Sequence, residues 1–291
     1  MGLALMSKSI FPDFLINEFA RGRCVLFLGA GISATAMSDD GQHPPDWSTF
    51  ISGAIKLIDV KKIQKEARRY LKVGSNTLAL QSIINASSRA DYLQYVEKHF
   101  NNPKYKPSDV HTTIAELGAK IVITTNFDSI FDNYCRSIAS QGFKVITYDN
   151  ESLPDALRSD ASLIIKAHGT IDNPQNMIFS KADYHKAKKD YGRFYEILKA
   201  IFITNTILFL GCGMADPDLL EILEEVKITA SQEKPHYLLT TSGQSETQRK
   251  DLLDSYNVET LIYGHRHTDL LSNLIELKEL VFERRRILGI H

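Results

Sequence analysis

Four short segments carry the residues best suited to chemistry, and each directly follows an apolar run. In chain order they are Gly29-Ala-Gly31, Thr124-Thr-Asn126-Phe-Asp128, His168-Gly169 and Gly211-Cys-Gly213. They combine flexible backbone with a carboxamide, a carboxylate and an imidazole. An imidazole with a pKa of ~6.5 can act as a general base at neutral pH. Such a set can hold a ligand and activate a water molecule or a hydroxyl group.

The glycine segment extends to Gly29-Ala-Gly31-Ile-Ser33-Ala34 and fits the pattern G-x-G-x-x-A. Glycines let backbone N–H groups approach a pyrophosphate, because no Cβ stands in the way. A dehydrogenase would also need a crossover helix, a second strand and an acidic residue about 20 residues further on. Asp59 is a candidate for that residue, but the polar, proline-containing stretch 38–46 cannot form the helix. Hydride transfer is therefore disfavoured, and a tight turn that binds no ligand stays an alternative.

The elements that must position these segments are predicted by apolar runs without polar alternation, which are typical of parallel strands buried on both faces. Six runs predict strands at 23–28, 120–123, 162–165, 206–210, 237–239 and 260–263. Helical spacing occurs at 129–140, 217–226, 248–256 and 268–284. This order predicts an α/β fold with a doubly wound, mostly parallel Rossmann-like sheet. Ligands of such sheets bind beyond the carboxyl ends of the strands, so we expect the four segments to share one crevice.

The interval between the first two predicted strands is too long for a single crossover helix. Helical spacing at 47–59, 61–72, 78–85 and 91–100 predicts a helical insertion at about 46–110. Its second helix carries six basic residues, namely Lys61, Lys62, Lys65, Arg68, Arg69 and Lys72. We interpret this helix as a solvated face, with a contact surface for a partner or for nucleic acid as the alternative.

Composition limits the function classes. Hydrophobic residues make up 43% of the chain and charged residues 24%, which is typical of a soluble globular protein. The formal net charge of −1 provides no global field for nucleic acid or membrane. The three cysteines form no C-x-x-C pair, which argues against a cysteine zinc site and against a disulfide framework. We expect a cytoplasmic protein without membrane association.

Taken together, the four segments resemble the sirtuin superfamily. Gly29–Ser33 resembles its G-A-G-[IV]-S loop, and Thr124–Asp128 its T-x-N-x-D segment. His168-Gly169 resembles its H-G pair, and Gly211–Pro217 stands where the family has a glycine/serine-rich ribose-binding loop. The whole chain, 1–291, is thus expected to form one sirtuin-like NAD-binding domain.

The chain departs from the sirtuin deacylases. Their zinc ribbon, with two C-x-x-C pairs, has no counterpart between Gly169 and Gly211, and their loop G-I-P-x-F-R is replaced by Pro45-Asp46-Trp47. Phe179–Tyr184 and Gly211–Pro217 are instead similar to a zinc-free bacterial branch. Members of that branch typically consume NAD in antiphage defence, some fused to a sensor and others paired with a HerA-type ATPase or a short Argonaute.

The resemblance implies catalytic roles for Asn126 and His168, with no metal. It implies NAD contacts for Gly29, Ala30, Gly31, Ser33, Thr125, Asp128, Gly211, Gly213, Asp216 and His265. Simpler explanations stay open: the segment 126–128 caps the following helix, His168 is a core histidine, and Asp216 with Pro217 starts a helix. We expect no nucleophilic role for Cys212, which lacks a paired base.

The activity implied by the resemblance is NAD+ glycohydrolysis, with NAD as substrate and no zinc. The sheet domain is followed by few residues, so we expect the trigger to come from homo-oligomer assembly or a partner, such as the HerA-type ATPase or short Argonaute. We expect no direct sequence-specific nucleic-acid binding. Two alternatives stay open: an NAD-dependent deacylase or ADP-ribosyltransferase, and a non-catalytic NAD or ADP-ribose sensor.

Overall fold

A computed structural model describes residues 9–101, 103–138, 143–214, 216–230 and 234–290, and they are built around one parallel sheet. Its strands are β1 (Cys24–Leu28), β2 (Ile121–Thr124), β3 (Phe143–Thr147), β4 (Ser162–Lys166), β5 (Thr206–Leu210), β6 (His236–Thr241) and β7 (Val258–Gly264). Their spatial order is β3-β4-β2-β1-β5-β6-β7, and every neighbouring pair is parallel. The predicted α/β, Rossmann-like fold is confirmed.

The direction in which strands are added reverses between β1 and β5. Strands β2 to β4 lie on one side of β1, and the chain then returns to place β5 on the other side. Such a reversal leaves a crevice at the carboxyl ends of the two central strands, where doubly wound proteins bind ligands. The crevice here lies between the ends of β1 and β5.

Helices cover both faces of the sheet and follow each other in the chain as follows: α1 (Asp13–Ala20), α2 (Ala30–Ser33), α3 (Trp47–Ala54), α4 (Lys61–Lys72), α5 (Asn76–Ala86), α6 (Arg89–Phe100), α7 (Asp109–Glu116), α8 (Ile130–Ile138), α9 (Leu153–Leu157), α10 (Lys181–Asp190), α11 (Gly192–Thr204), α12 (Pro217–Ala230), α13 (Glu246–Tyr256) and α14 (Leu270–Leu288). Alternate residues of β1 explain the two layers. Val25 and Phe27 pack with residues of α11 and α12, whereas Leu26 and Leu28 pack with residues of α1, α7 and α14. None of the helices in the described part of the chain is long and apolar enough to span a membrane.

The third strand was not predicted. In β3 only Ile146 is buried, and Lys144 is exposed, because the strand lies at the edge of the sheet. The exposed Lys144 interrupts the apolar residues of β3, so this strand lacks the continuous apolar run that identified the predicted strands. The predicted helix 129–140 corresponds to α8, and its last two residues lie outside the described part of the chain.

Helices α3 to α6 follow β1 and pack around a third apolar cluster, which includes Phe50 and Tyr92 of these helices and Phe179 from a later segment. The two ends of this segment are tied by an antiparallel bridge between Met37 and Lys106. The helix predicted to run to residue 59 ends at Ala54, and a 3-10 turn covers 55–57. That the segment is an insertion bounded near 46 and 110 stays a prediction.

Candidate functional site

The register of the sheet brings the four predicted segments to one level. Leu28 pairs with Leu210 on one side and with Thr124 on the other, and Thr124 pairs with Lys166. These four residues thus form one row across the carboxyl edge of the sheet. Each predicted segment starts at this row or within two residues after it, as the sequence predicted.

Two adjoining pockets open beyond this row. The large pocket encloses about 820 Å³, including its open mouth, and the small pocket about 390 Å³. They share Ala30, Trp47 and Thr125. Residues predicted to bind or act on NAD also line the large pocket alone (Gly29, His168, Gly211, Gly213 and Asp216) or the small pocket alone (Ser33, Asn126 and Asp128).

Close contact between the two glycine loops explains three of the glycines. The Gly31 N–H donates to the Gly211 carbonyl at 3.0 Å. A Cβ on Gly29 would lie 2.6 Å from that same oxygen, and one on Gly31 would lie 2.9 Å from the Gly211 Cα. Gly211 itself has a φ of +65°, which disfavours other residues. Glycine at these positions makes room for the facing loop, and contact of the same loops with a pyrophosphate stays a prediction.

Asn126 is held in one orientation by the first glycine loop. Its Nδ2 donates to the Gly29 carbonyl and to Ser33 Oγ, both at 2.9 Å. The Ser33 hydroxyl in turn donates to Asp128 Oδ2 at 2.7 Å. Both amide hydrogens are thus used within the protein, so the side-chain oxygen is what Asn126 offers to a ligand.

Asp128 is buried and also starts α8, because its Oδ1 accepts from the Ile130 N–H at 3.1 Å. The capping interpretation therefore applies to Asp128, whereas the Asn126 side chain bonds the glycine loop instead. Asp128 can cap α8 and also hold the glycine loop, because its second oxygen, Oδ2, accepts the hydrogen bond from Ser33.

A buried ion pair that the sequence analysis missed supports this loop from below. The Lys166 ammonium is fully buried and donates to the Asp128 carbonyl at 2.5 Å and to Asp132 Oδ2 at 2.8 Å. Burial raises the pKa of the Asp132 carboxyl, and Lys166 partly opposes that shift. A lysine that ends an apolar run just before His168 was the available signal.

His168 is 6% exposed and lies in the wall of the large pocket. Its Nε2 is 3.3 Å from Asp216 Oδ2, and the Tyr184 ring meets the imidazole edge-on at 5.2 Å. The Tyr184 hydroxyl donates to the same Asp216 oxygen at 3.4 Å. Asp216 Oδ1 also accepts from the Leu219 N–H at the start of α12, so Asp216 is both a helix cap and a partner of His168.

Cys212 lines the large pocket, whereas His265 lies away from both pockets. Burial raises the pKa of the Cys212 thiol, which suits the expectation that it is no nucleophile. His265 follows the edge strand β7, is exposed, and has its Nδ1 2.6 Å from Ser242 Oγ. It lines neither pocket, so its contact with NAD stays a prediction without support from this geometry.

The helical segment after β1 contributes residues that the sequence analysis did not assign to the site. Trp47 lines both pockets, and Asn76, Thr77 and Leu80 line the large one. Trp47 is the only tryptophan of the chain and follows two prolines, which was the one local signal. The described residues contain no cluster of three or more potential metal-ligating side chains, and whether the protein binds zinc stays a prediction.

Comparison with known proteins points to the same family. Residues 120–261 match the model of the SIR2-like domain. The chain is 28% identical to "NAD(+) hydrolase ThsA" of Enterococcus faecium, in an alignment covering 87% of this chain and 51% of that protein. It is 26% identical to "Defense-associated sirtuin 2" of Bacillus subtilis, covering 92% of this chain and 27% of that protein. A ThsA of Cytobacillus dafuensis is 24% identical, with 77% of this chain and 43% of that protein covered.

The chain thus spans about half or less of the length of these relatives. The matched region contains β2 to β6, with the segments at Asn126, His168 and Gly211. Residues 120–261 are thus similar to the SIR2-like domain, and most of the chain is similar to these relatives.

Proposed function

We propose that this chain is an NAD+ glycohydrolase that releases nicotinamide and ADP-ribose and acts in antiphage defence. The observation that carries the proposal is the arrangement of His168 and Asn126. Both follow the same row of the sheet, and each is held by a protein contact beside two adjoining pockets. The names of the relatives, an NAD(+) hydrolase and a defence-associated sirtuin, support this reaction and this role.

The pockets suit a dinucleotide. The large pocket lies within the range of roughly 300–1,000 Å³ that is usual for small-molecule sites. The small pocket combines Trp47 and Phe127 with Asn126 and Asp128, so an aromatic ring with a polar substituent fits there. We place the nicotinamide end in the small pocket and the rest of NAD along the glycine loops of the large one.

The reaction breaks the bond between the ribose anomeric carbon and the nicotinamide nitrogen. The electron pair of that bond leaves with nicotinamide, and positive charge develops on the ribose. The Asn126 side-chain oxygen would stabilise this charge and position the water, since its amide group is already bound. The water oxygen then bonds to the anomeric carbon, and its proton passes to His168 and on to solvent.

Asp216 and Tyr184 would hold His168 for this step. A carboxylate beside one ring nitrogen fixes the imidazole's orientation and stabilises the protonated ring after proton transfer. Tyr184 packs against the ring and bonds the same carboxylate, so it limits movement of both groups. Their role is positioning, with no direct part in bond breaking.

The defence role further implies control of the enzyme. We propose that it works in the cytoplasm, that its activity is held low until a partner protein or homo-oligomer assembly activates it, and that a HerA-type ATPase or a short Argonaute is such a partner.

The test is nicotinamide release from NAD by the purified protein, without any acylated or acceptor protein. His168→Ala and Asn126→Ala are expected to abolish release while both variants still unfold in a cooperative thermal transition, with some loss of stability in Asn126→Ala from its two missing hydrogen bonds. His185→Ala is the matched control, because it removes an exposed imidazole from α10. If His168→Ala retained activity within about threefold of the wild type, the activation free energy would change by no more than about 0.7 kcal/mol, and His168 would have no part in the mechanism.

The alternatives predict other results. A deacylase or ADP-ribosyltransferase would release nicotinamide only when an acylated or acceptor protein is added. A sensor would bind NAD without turnover, also in the presence of the proteins encoded beside it. Turnover that appears only with such a partner protein would support the proposed control.

A further inference from the structure

The outer side of α4 is a basic stripe, defined here by Lys61, Lys62, Lys65, Arg68, Arg69 and Lys72. All six side chains are exposed. At 100° per residue they fall within about 120° of the helix circumference, and the stripe is about 16 Å long. The opposite side of α4 is anchored in the protein by the buried Ala67.

The acidic residues closest to the stripe in sequence are Asp59, which precedes α4, and Glu66 within it. Among the described residues, no carboxylate forms an ion pair with any of the six cations. The single acidic residue of α4, Glu66, accepts a hydrogen bond from the Tyr70 hydroxyl at 2.8 Å. With six cations and one anion, α4 has a formal charge of +5, whereas the whole chain has −1. The stripe therefore creates a local positive potential on a protein whose net charge is close to zero.

We propose that the basic stripe of α4 binds the phosphate backbone of duplex DNA without sequence preference. Duplex DNA carries one negative charge per ~1.7 Å of its axis, so a 16 Å length carries about nine phosphates, and those on the side facing the stripe lie within its reach. The six lysines and arginines form no ion pair among the described residues, although Arg69 lies over the Tyr70 ring, so they can neutralise several phosphates and release the bound counterions. Contacts of this kind carry no base readout.

Other polyanions fit the stripe less well. Single-stranded nucleic acid is usually bound by stacking its bases on aromatic side chains, and the only aromatic residue of α4, Tyr70, is half-buried on another side of the helix. A membrane surface requires a large apolar face beside the basic one, but the exposed apolar residues at the two ends of α4 are only Val60 and Val73. Protein surfaces usually mix both signs of charge, so few present an anionic row of this density.

The stripe lies close to the candidate active site without belonging to it. Helix α4 packs against α5, and α5 contributes Asn76, Thr77 and Leu80 to the large pocket. A duplex on α4 would be separated from that pocket by a single helix. The proposal concerns binding alone and does not depend on NAD hydrolysis.

The experiment measures fluorescence anisotropy of a labelled 24-base-pair duplex, titrated with the full chain at several salt concentrations. In the variant Lys65→Gln/Arg68→Gln/Lys72→Gln, affinity at 50 mM salt is expected to fall at least about tenfold. The slope of log affinity against log salt is expected to lose about 2.7 in magnitude, at ~0.9 for each phosphate contact removed.

The matched control removes the same charge elsewhere. Lys181→Gln/Lys186→Gln/Lys189→Gln alters three exposed lysines of α10, a helix that also carries Asp183 and Asp190. This variant is expected to bind the duplex within about twofold of the wild type. Equal melting temperatures of both variants, whose changes all lie on exposed positions, exclude unfolding as the cause.

Three results would overturn the proposal. The first is that the wild type does not bind the duplex at 50 mM salt, or that its affinity does not fall as the salt concentration is raised. The second is equal loss of affinity in the stripe variant and the control. The third is tighter binding of polyglutamate, of single-stranded DNA or of anionic vesicles than of the duplex, which would assign the stripe to one of those partners instead.

Discussion

Replacement of Lys166 by methionine is expected to destabilise the protein strongly, although the two side chains have similar length. The Lys166 ammonium is fully buried, between the Asp128 carbonyl and the Asp132 carboxylate. Methionine removes the charge and leaves Asp132, whose side chain is 4% exposed, without its cation. The site of the perturbation lies two residues before His168 and directly beneath the loop that carries Asn126.

The magnitude follows from the burial of both partners. Removing one partner of a buried ion pair typically costs about 3–5 kcal/mol, because the remaining charge is desolvated and unpaired. For a domain of this size that loss corresponds to a decrease in melting temperature of roughly 6–10 °C. The double variant Lys166→Met/Asp132→Leu removes both charges, so most of the lost stability should return.

The pH dependence provides an independent check. Burial already raises the pKa of Asp132 in the wild type, and loss of Lys166 should raise it further. A carboxyl whose folded pKa exceeds its unfolded pKa favours folding at low pH, and this contribution is lost as pH rises through the folded pKa. The melting temperature of Lys166→Met, relative to the double variant, should therefore increase as pH is lowered from 7 towards 5.

The assay is thermal unfolding of the wild type, the single variant and the double variant between pH 5 and pH 8. A melting temperature of Lys166→Met within about 2 °C of the wild type would refute the reasoning, since it would mean that the buried carboxylate needs no cation. A double variant as unstable as the single one would also refute it, because the loss would then come from packing.

Three further predictions concern other parts of the site and core. Gly31→Ala should lower the melting temperature by several degrees, because its Cβ would lie 2.9 Å from backbone of the facing loop, whereas Gly192→Ala, with open space around it, should leave thermal unfolding unchanged. Ser33→Ala removes the hydroxyl that accepts from Asn126 Nδ2, so nicotinamide release should fall by about tenfold or more, and the free energy of unfolding should fall by about 1–3 kcal/mol. Unaltered release would show that this hydrogen bond does not orient the amide. Burial lowers the pKa of His236 to about 4, whereas the unfolded chain has a histidine pKa of ~6.5, so the free energy of unfolding should decrease as pH falls from 6.5 towards 4. Urea unfolding of His236→Gln should show a weaker decrease over this range.

The chemistry-bearing segments and the fold class could be predicted because their signals are local. Central parallel strands are buried on both faces, so they appear in the sequence as continuous apolar runs. The polar and glycine residues that end these runs lie at the carboxyl edge of the sheet in any doubly wound fold. Asn126 and His168 could therefore be predicted from the sequence to lie beside one crevice. Strand β3 could not be predicted in this way, because the exposed Lys144 interrupts its apolar residues.

Local apolar runs were enough to predict that Asn126 and His168 reach the carboxyl edge of the sheet, but their contacts there are set by the packing of the folded chain. Strand register and helix packing set the pairs Asn126–Gly29, Lys166–Asp132 and His168–Asp216. The two residues of each pair are 34 to 97 positions apart in the chain, so no local sequence pattern predicts these contacts. The same packing made the glycines a contact between two loops and brought Trp47 into both pockets. Local sequence encodes burial and backbone freedom, whereas contacts between distant segments arise only when the chain has folded.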